Sequence, residues 1–310
     1  MYPTLSYLIK DITGIDIPLP IPMFGLMVVI SIIIAALILT KELKRKERLD
    51  ALSPVTITIK KNKTDVWPHQ LVSNIVFIAM LAGIIGARIF SILEYPDDFI
   101  NDPWGTIFSA SGLTFYGGLI VGSVAVLIYL RKSKILIVPF IDAVAPALIL
   151  AYGIGRIGCQ LAGDGDWGIV NMYPKPGLLS FLPDWLWAYD YPHNVVNEGI
   201  NIVGCTSQYC HVLPSPVFPT PLYEVLMSAL IFFFLWAIRK KIKVPGVLFS
   251  IYLIASAIER FLIEKIRVDS EYQFGSFSIK QAEIISFMLF LIGTILLFVF
   301  INKYKREKIV

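Results

Sequence analysis

The sequence predicts an all-α integral membrane protein with seven transmembrane helices, its N-terminus periplasmic and its C-terminus cytoplasmic. Composition is the first reason. Of 310 residues, 56% are hydrophobic and only 16% charged, with a mean hydropathy of +0.71. A soluble domain of this length carries more charge. The second reason is a series of seven apolar runs, each close to the roughly 20 residues that cross a hydrocarbon core. The third is that 19 of the 27 lysines and arginines follow the first, third, fifth and seventh runs. By the positive-inside rule those ends are cytoplasmic. Length alone suggests two domains, but that prior belongs to soluble cores. The expectation is one polytopic membrane domain over 1–310, with 160–217 as its periplasmic loop region.

Taken in order, residues 1–20 are mixed and proline-bearing, with Lys10 their one basic residue. They lack a basic n-region and a cleavage site, so they are expected to be retained. The first span runs from Pro22 to Thr40, and Lys41 to Arg48 follows it inside. Within 50–70, Val55 to Ile59 alternates and Lys60 to Lys63 suits a turn, which suggests a small cytoplasmic hairpin. The second span is Leu71 to Leu93, followed by an acidic outer loop holding Glu94, Asp97, Asp98 and Asp102. The third, Thr114 to Leu130, ends at Arg131, Lys132 and Lys134. The fourth, Ile135 to about Ile157, carries Pro139 and Pro146 and is expected to break or kink there.

Residues 160–217 form the longest non-apolar segment, with Trp167, Trp185 and Trp187 expected at the outer interface. Cys205 and Cys210 lie in it, five residues apart, where a disulfide survives. The fifth span is Leu222 to Ile238, with Arg239 to Lys243 inside. The sixth, Val247 to Ile266, and the seventh, Gln281 to Ile301, complete the set, and Lys303 to Lys308 ends the chain inside.

Chemistry is expected around Ala151 to Gly168, where an apolar helix ends in a loop of glycines, acids and Trp167. Arg156 sits near the end of that apolar run, and an intramembrane charge is costly unless paired. Arg88, Glu224, Glu259, Arg260 and Glu264 are in the same position, with Asp142 a further partner. Arg260 and Glu264 are spaced i, i+4 on one helix face. Salt bridges that set helix register explain such charges equally well for Arg88 and Glu259. For Arg156 and Arg260, two guanidiniums at the outer side suit bidentate recognition of a lipid phosphate. Tyr116-Gly117-Gly118 opens the third helix and could offer backbone N–H groups to an anion. Paired glycines also mark close helix packing. Gly153-Ile-Gly155-Arg-Ile-Gly158 has the form of a dinucleotide fingerprint, but no strand precedes it. The three histidines are scattered and the cysteines have no zinc spacing, so neither metal nor cofactor is expected, and nothing points to nucleic acid.

These residues together resemble the prolipoprotein diacylglyceryl transferase family over nearly the whole chain. The resemblance rests on Gly155-Arg156-Ile-Gly158-Cys159 followed by Gly163-Asp164-Gly-Asp166-Trp167-Gly168. Gly86-Ala87-Arg88, Gly117-Gly118, Pro219 with Leu222-Tyr223-Glu224, Arg260, Glu264 and Gln281 also match. It implies seven helices in the bacterial inner membrane. It also implies transfer of a diacylglyceryl group from phosphatidylglycerol to the lipobox cysteine thiol of prolipoproteins. Tyr116, Arg156, Arg260 and Glu264 would be catalytic. Arg88, Gly117, Gly118, Cys159, Gly163, Asp164, Asp166, Tyr223 and Glu224 would bind substrate. The chain departs from the family pattern in several places. Tyr116 stands where the family has His, Phe24 where it has Tyr, Cys159 where it has Asn, Phe218 for the His of His-Pro, and Ser256 for a Tyr.

Transfer to a thiol needs a thiolate, an electrophilic glyceryl carbon and a stabilised leaving phosphate. Arg156 and Arg260 would hold the phosphate, with Glu264 and Asp164 or Asp166 orienting them. Tyr116, with an ordinary pKa of about 10, suits hydrogen-bond donation better than proton abstraction at pH 7. That leaves the base to a carboxylate or to water. Two alternatives remain open: a paralogue that binds anionic phospholipid without turnover, and a small-solute transporter.

Overall fold

Helices follow the apolar runs because a backbone in hydrocarbon must satisfy its own hydrogen bonds. The computed structural model describes residues 1–59, 62–109, 114–268, 271–274 and 277–307. Its helices are α1 (Leu5–Thr13), α2 (Met23–Glu47), α3 (Val72–Glu94), α4 (Pro96–Asn101), α5 (Pro103–Phe108), α6 (Phe115–Lys132), α7 (Ile137–Ala162), α8 (Thr220–Ile238), α9 (Val247–Glu264) and α10 (Gln281–Glu307). Six are long and apolar enough to cross a membrane: α2, α3 with the turn at Pro68–Leu71, α6, α7, α8 and α10. The helix α9 has 18 residues but carries Glu259, Arg260 and Glu264. Phe77, Leu81, Ile84, Leu230, Phe233, Phe287 and Phe298 are all more than half exposed, as side chains facing lipid are. The chain is a helical, multi-pass membrane protein.

Three features differ from the sequence expectation. The helix α7 is not broken: it runs on through Pro139, Pro146 and Arg156 to Ala162. Pro139 falls in the first turn, where the missing N–H has no helical partner to lose. Pro146 costs one interior hydrogen bond, which a membrane helix accommodates by local adjustment. The acidic loop after α3 contains two short helices, α4 and α5. Both start at a proline, and Asp102 caps α5 by accepting the Gly105 N–H at 2.9 Å. Residues 1–20 contain α1, which ends at Gly14 in the left-handed region (φ 71).

Contacts divide the chain into two compact units, Ala36–Val144 and Met1–Ala35 with Ala145–Val310. In the first unit α3 and α6 cross at glycines. A Cβ on Gly86 would lie 2.5 Å from the Gly117 carbonyl, and one on Gly118 would lie 3.1 Å from the Gly83 carbonyl. The expected hairpin is present: β1 (Val55–Ile59) pairs antiparallel with β2 (Asn62–Val66), Ile59 opposite Asn62. Its turn at 60–61 lies outside the described residues. Asp142 pairs with Lys46 at 3.3 Å.

In the second unit α9 packs between α8 and α10. The 160–217 segment has a core of its own, in which Trp167, Tyr191, Leu213 and Val217 are buried. Trp167 is therefore not an interfacial side chain as expected. Its ring lies 5.0 Å from that of Tyr191 and is 6% exposed. Trp185 stays half exposed. A short ladder, β3 (Ile200–Asn201) with β4 (His211–Val212), brackets the Cys205–Cys210 disulfide. A further hairpin, β5 (Glu271–Phe274) with β6 (Phe277–Lys280), leads into α10.

A buried arginine–carboxylate cluster as the candidate active site

The fold brings the end of α7, the loop after it, the start of α8 and the end of α9 to one place. Glycine makes the approach feasible. Gly163 ends α7 at φ +64, and its N–H returns to the Cys159 carbonyl at 2.9 Å. Gly168 passes so close to the chain just after α9 that a Cβ there would lie 2.5 Å from the Ile266 carbonyl. The loop is stitched on both sides: the Gly168 N–H donates to Phe218 at 2.9 Å and the Ile169 N–H to Ile266 at 2.8 Å. Thr220 donates its hydroxyl to the Asp166 carbonyl at 2.6 Å.

This stitching places Asp166 between two arginines. Its carboxylate takes Arg156 on one oxygen and Arg267 on the other. Glu224, in the first turns of α8, is the second hub. Its Oε2 meets Arg156 Nε at 3.1 Å, while Oε1 meets Arg260 at 3.3 Å and Arg267 at 3.7 Å. Tyr152 also donates its hydroxyl to Glu224 Oε1, at 2.7 Å. Arg260 turns its other nitrogen to Glu264 at 3.2 Å, one helical turn on. Lys280 closes the group at 3.9 Å from Glu264 and donates to the Arg267 carbonyl at 2.6 Å. Glu259 is 3% exposed, and its charged neighbours are Glu224, Arg156, Arg260 and Arg267.

Burial is unequal across the cluster. The side chains of Glu224 and Glu264 have no exposure, while Arg156 keeps 15% and Arg260 21%. The guanidiniums are oriented and partly desolvated, with Glu224 and Glu264 fully buried beside them and Asp166 keeping 27% exposure. Removing one member of such a set costs about 3–5 kcal/mol, because it strands a partner's charge. Cys159 is buried, 3.8 Å from Arg156. Its sulfur and one oxygen each of Asp164 and Asp166 lie within 4.8 Å of one another. Both Asp166 oxygens are engaged by arginines and the Cys159 sulfur accepts from Arg156, so of this group Asp164 alone makes no direct contact with a guanidinium. One donor does not make a metal site. Burial, then the charge of Asp166, raises the Asp164 carboxyl above its ordinary value.

A family model described as prolipoprotein diacylglyceryl transferase matches residues 12–299. The chain belongs to the prolipoprotein diacylglyceryl transferase family. A relative from Corynebacterium glutamicum, named phosphatidylglycerol–prolipoprotein diacylglyceryl transferase, is 30% identical over 94% of this chain and 82% of its own length. Relatives of the same name come from Clostridium botulinum, 32% identical over 75% of this chain and 82% of that protein, and from Leptospira interrogans, 25% identical over 92% and 89%. Family membership favours an enzyme, a transferase, over the lipid-binding and transporter alternatives.

Of the residues singled out in the sequence, Arg156, Cys159, Asp164, Asp166, Glu224, Arg260 and Glu264 come together. Tyr223 points its hydroxyl at the Leu186 carbonyl, 3.0 Å away, and so ties the loop to α8. Arg88, Tyr116, Gly117 and Gly118 belong to the unit Ala36–Val144. There Arg88 donates to the Ser109 carbonyl. The Tyr116 ring meets Phe115 edge-on at 5.7 Å. Gly117 and Gly118 are filled by α3, which is the packing reading of paired glycines. Sequence reasoning missed Tyr152, Arg267 and Lys280. Tyr152 is four residues before Arg156 on α7, so helical spacing carried a signal for it. Arg267 lies past the end of α9, where helical spacing no longer applies. Lys280 arrives from β6, and no local pattern announced it.

Proposed function

We propose that this chain transfers the diacylglyceryl group of phosphatidylglycerol to the lipobox cysteine thiol of prolipoproteins at the bacterial inner membrane. The observation that carries the reading is the guanidinium pair Arg156 and Arg260, oriented by buried Glu224 and left partly exposed. In the step, the thiol sulfur forms a bond to the glyceryl carbon and the carbon–oxygen bond to the phosphate breaks. The thiol proton passes to a base, and the phosphate leaves with the electron pair. Arg156 and Arg260 hold the phosphate and take up the charge that develops on it, the larger part of such catalysis. Asp166, Glu224 and Glu264 fix the guanidiniums, and Arg267 joins them through the carboxylates it shares. Arg88 is assigned to substrate handling by its match to a family position, and Tyr116 by standing where the family has His. The chain acts as one polytopic domain of seven spans, α9 among them, with 160–217 outside.

The test is transfer of a labelled diacylglyceryl group to a lipobox peptide, with lipid retention read on the same purified protein. Losing a charge-assisted contact costs about 1.5–3 kcal/mol, so Arg156→Ala, Arg260→Ala and Arg267→Ala should each lower activity by roughly tenfold or more. Tyr116→Phe should lower it less, and Tyr116→His should keep or raise it. Transfer absent in wild type and in Tyr116→His, with lipid bound, would overturn the transferase reading. Unchanged binding and transfer in the arginine variants would overturn the site.

A further inference from the structure

Two cations of the basic run that ends α2 stand apart from the rest. Arg45 meets Glu42 at 2.9 Å and Lys46 meets Asp142 at 3.3 Å. Lys44 and Arg48 are exposed and make no ion pair among the described residues. Both line an open cleft of about 400 Å³, together with Glu47, Trp67 and His69. Spaced i, i+4, they share one face of the helix end. The facing wall is held in place. Glu47 accepts the His69 N–H at 2.9 Å and meets the ring Nδ1 at 2.7 Å. The Trp67 N–H donates to Gln70 Oε1 at 2.8 Å.

Depth in the membrane adds to this. The apolar run of α2 ends at Thr40, so at ~1.5 Å per residue Lys44 stands ~6 Å beyond it. That is the depth of the headgroup layer, about 5–7 Å on each side of the hydrocarbon. Trp67, 39% exposed, sits just ahead of the apolar span of α3, where an amphipathic ring belongs at the interface. A bidentate guanidinium and a compact ammonium beside such a ring suit a phosphate group with an apolar or glyceryl extension.

We propose that this cleft is a binding site for a phosphate-bearing anion at the membrane interface, held by Lys44 and Arg48 with Trp67 as its apolar wall. It uses no residue of the arginine–carboxylate cluster. Its occupant is the headgroup of an anionic lipid or free phosphate, and the two probes below separate them.

The experiment uses the full chain in non-ionic detergent. Dihexanoyl phosphatidic acid, which is not the family's named lipid substrate, is titrated by native mass spectrometry, and inorganic phosphate by calorimetry. Lys44→Gln with Arg48→Gln should weaken binding of whichever probe binds by roughly tenfold, and added salt should weaken it further in wild type. Trp67→Ala should weaken the lipid and not free phosphate. The exposed pair Lys240→Gln with Lys241→Gln should leave binding at the wild-type affinity. Lipid binding lost in the Lys44/Arg48 variant identifies a headgroup site. Phosphate binding lost there with no lipid binding identifies a free-phosphate site. Neither probe binding, equal loss in the Lys240/Lys241 control, or unchanged binding in the Lys44/Arg48 variant would overturn the proposal.

Discussion

Asp164 and Asp166, two residues apart, receive different environments from one loop. Asp166 spends both oxygens on Arg156 and Arg267, whereas burial and that neighbouring charge raise the Asp164 carboxyl above its ordinary 3.8. An acid whose folded-state pKa is raised holds its proton more tightly in the folded protein. The fold therefore loses stability as pH rises from below 3.8 through the folded-state value. Asp164→Asn removes that penalty. Its thermal midpoint in detergent should exceed that of wild type at about pH 7, with the gap closing toward about pH 4. A lower midpoint at neutral pH would show that the ionised carboxylate is stabilising instead. The residue scale was well marked in the sequence where charge sits in apolar surroundings, as for Arg156, Glu224 and Arg260. It was silent on Lys280, which reaches Glu264 from a hairpin.

Helix against helix, the α3–α6 crossing rests on absent side chains. Gly86 and Gly117 each place a carbonyl 2.5 Å from where the other's Cβ would stand, and Phe90 also closes over Gly117. Overpacking of this kind costs about 1–3 kcal/mol. Gly117→Leu should therefore lower the thermal midpoint, while Gly25→Ala, a position open to space within 4 Å, should leave it unchanged. Equal effects at both would remove the crossing as the cause. The long helices were legible because each is a long apolar run, whereas the short α1, α4 and α5 were not. Element ends were not: α7 continues five residues past the expected Ile157, and α2 seven past Thr40. Hydropathy marks where lipid begins, whereas a helix ends where capping and loop contacts end it.

At the scale of the whole molecule, the basic clusters imply seven crossings with the N-terminus outside. The six apolar helices fit this count if α9 crosses with its charges turned to the cluster. Single cysteines introduced at Lys44 and Asp97 provide the check by membrane-impermeant labelling of intact cells. Asp97 should label and Lys44 should label only after permeabilisation. Labelling of Lys44 from outside would invert the layout.

Membrane class, the small hairpin after α2 and the Cys205–Cys210 pairing all lay in the sequence. Each depends on local composition or on spacing along one helix or loop, and such features need no distant partner. The α9 face of Arg260 and Glu264 was open to the same reasoning. The tertiary structure alone decided that Glu224 and Asp166 are the hubs joining three arginines, and that Trp167 is buried in a loop core. It also decided that Gly117 and Gly118 are filled by a neighbouring helix. Those outcomes depend on which chain segments approach one another, and a glycine or a carboxylate reads the same in sequence whether a helix, a guanidinium or lipid lies against it.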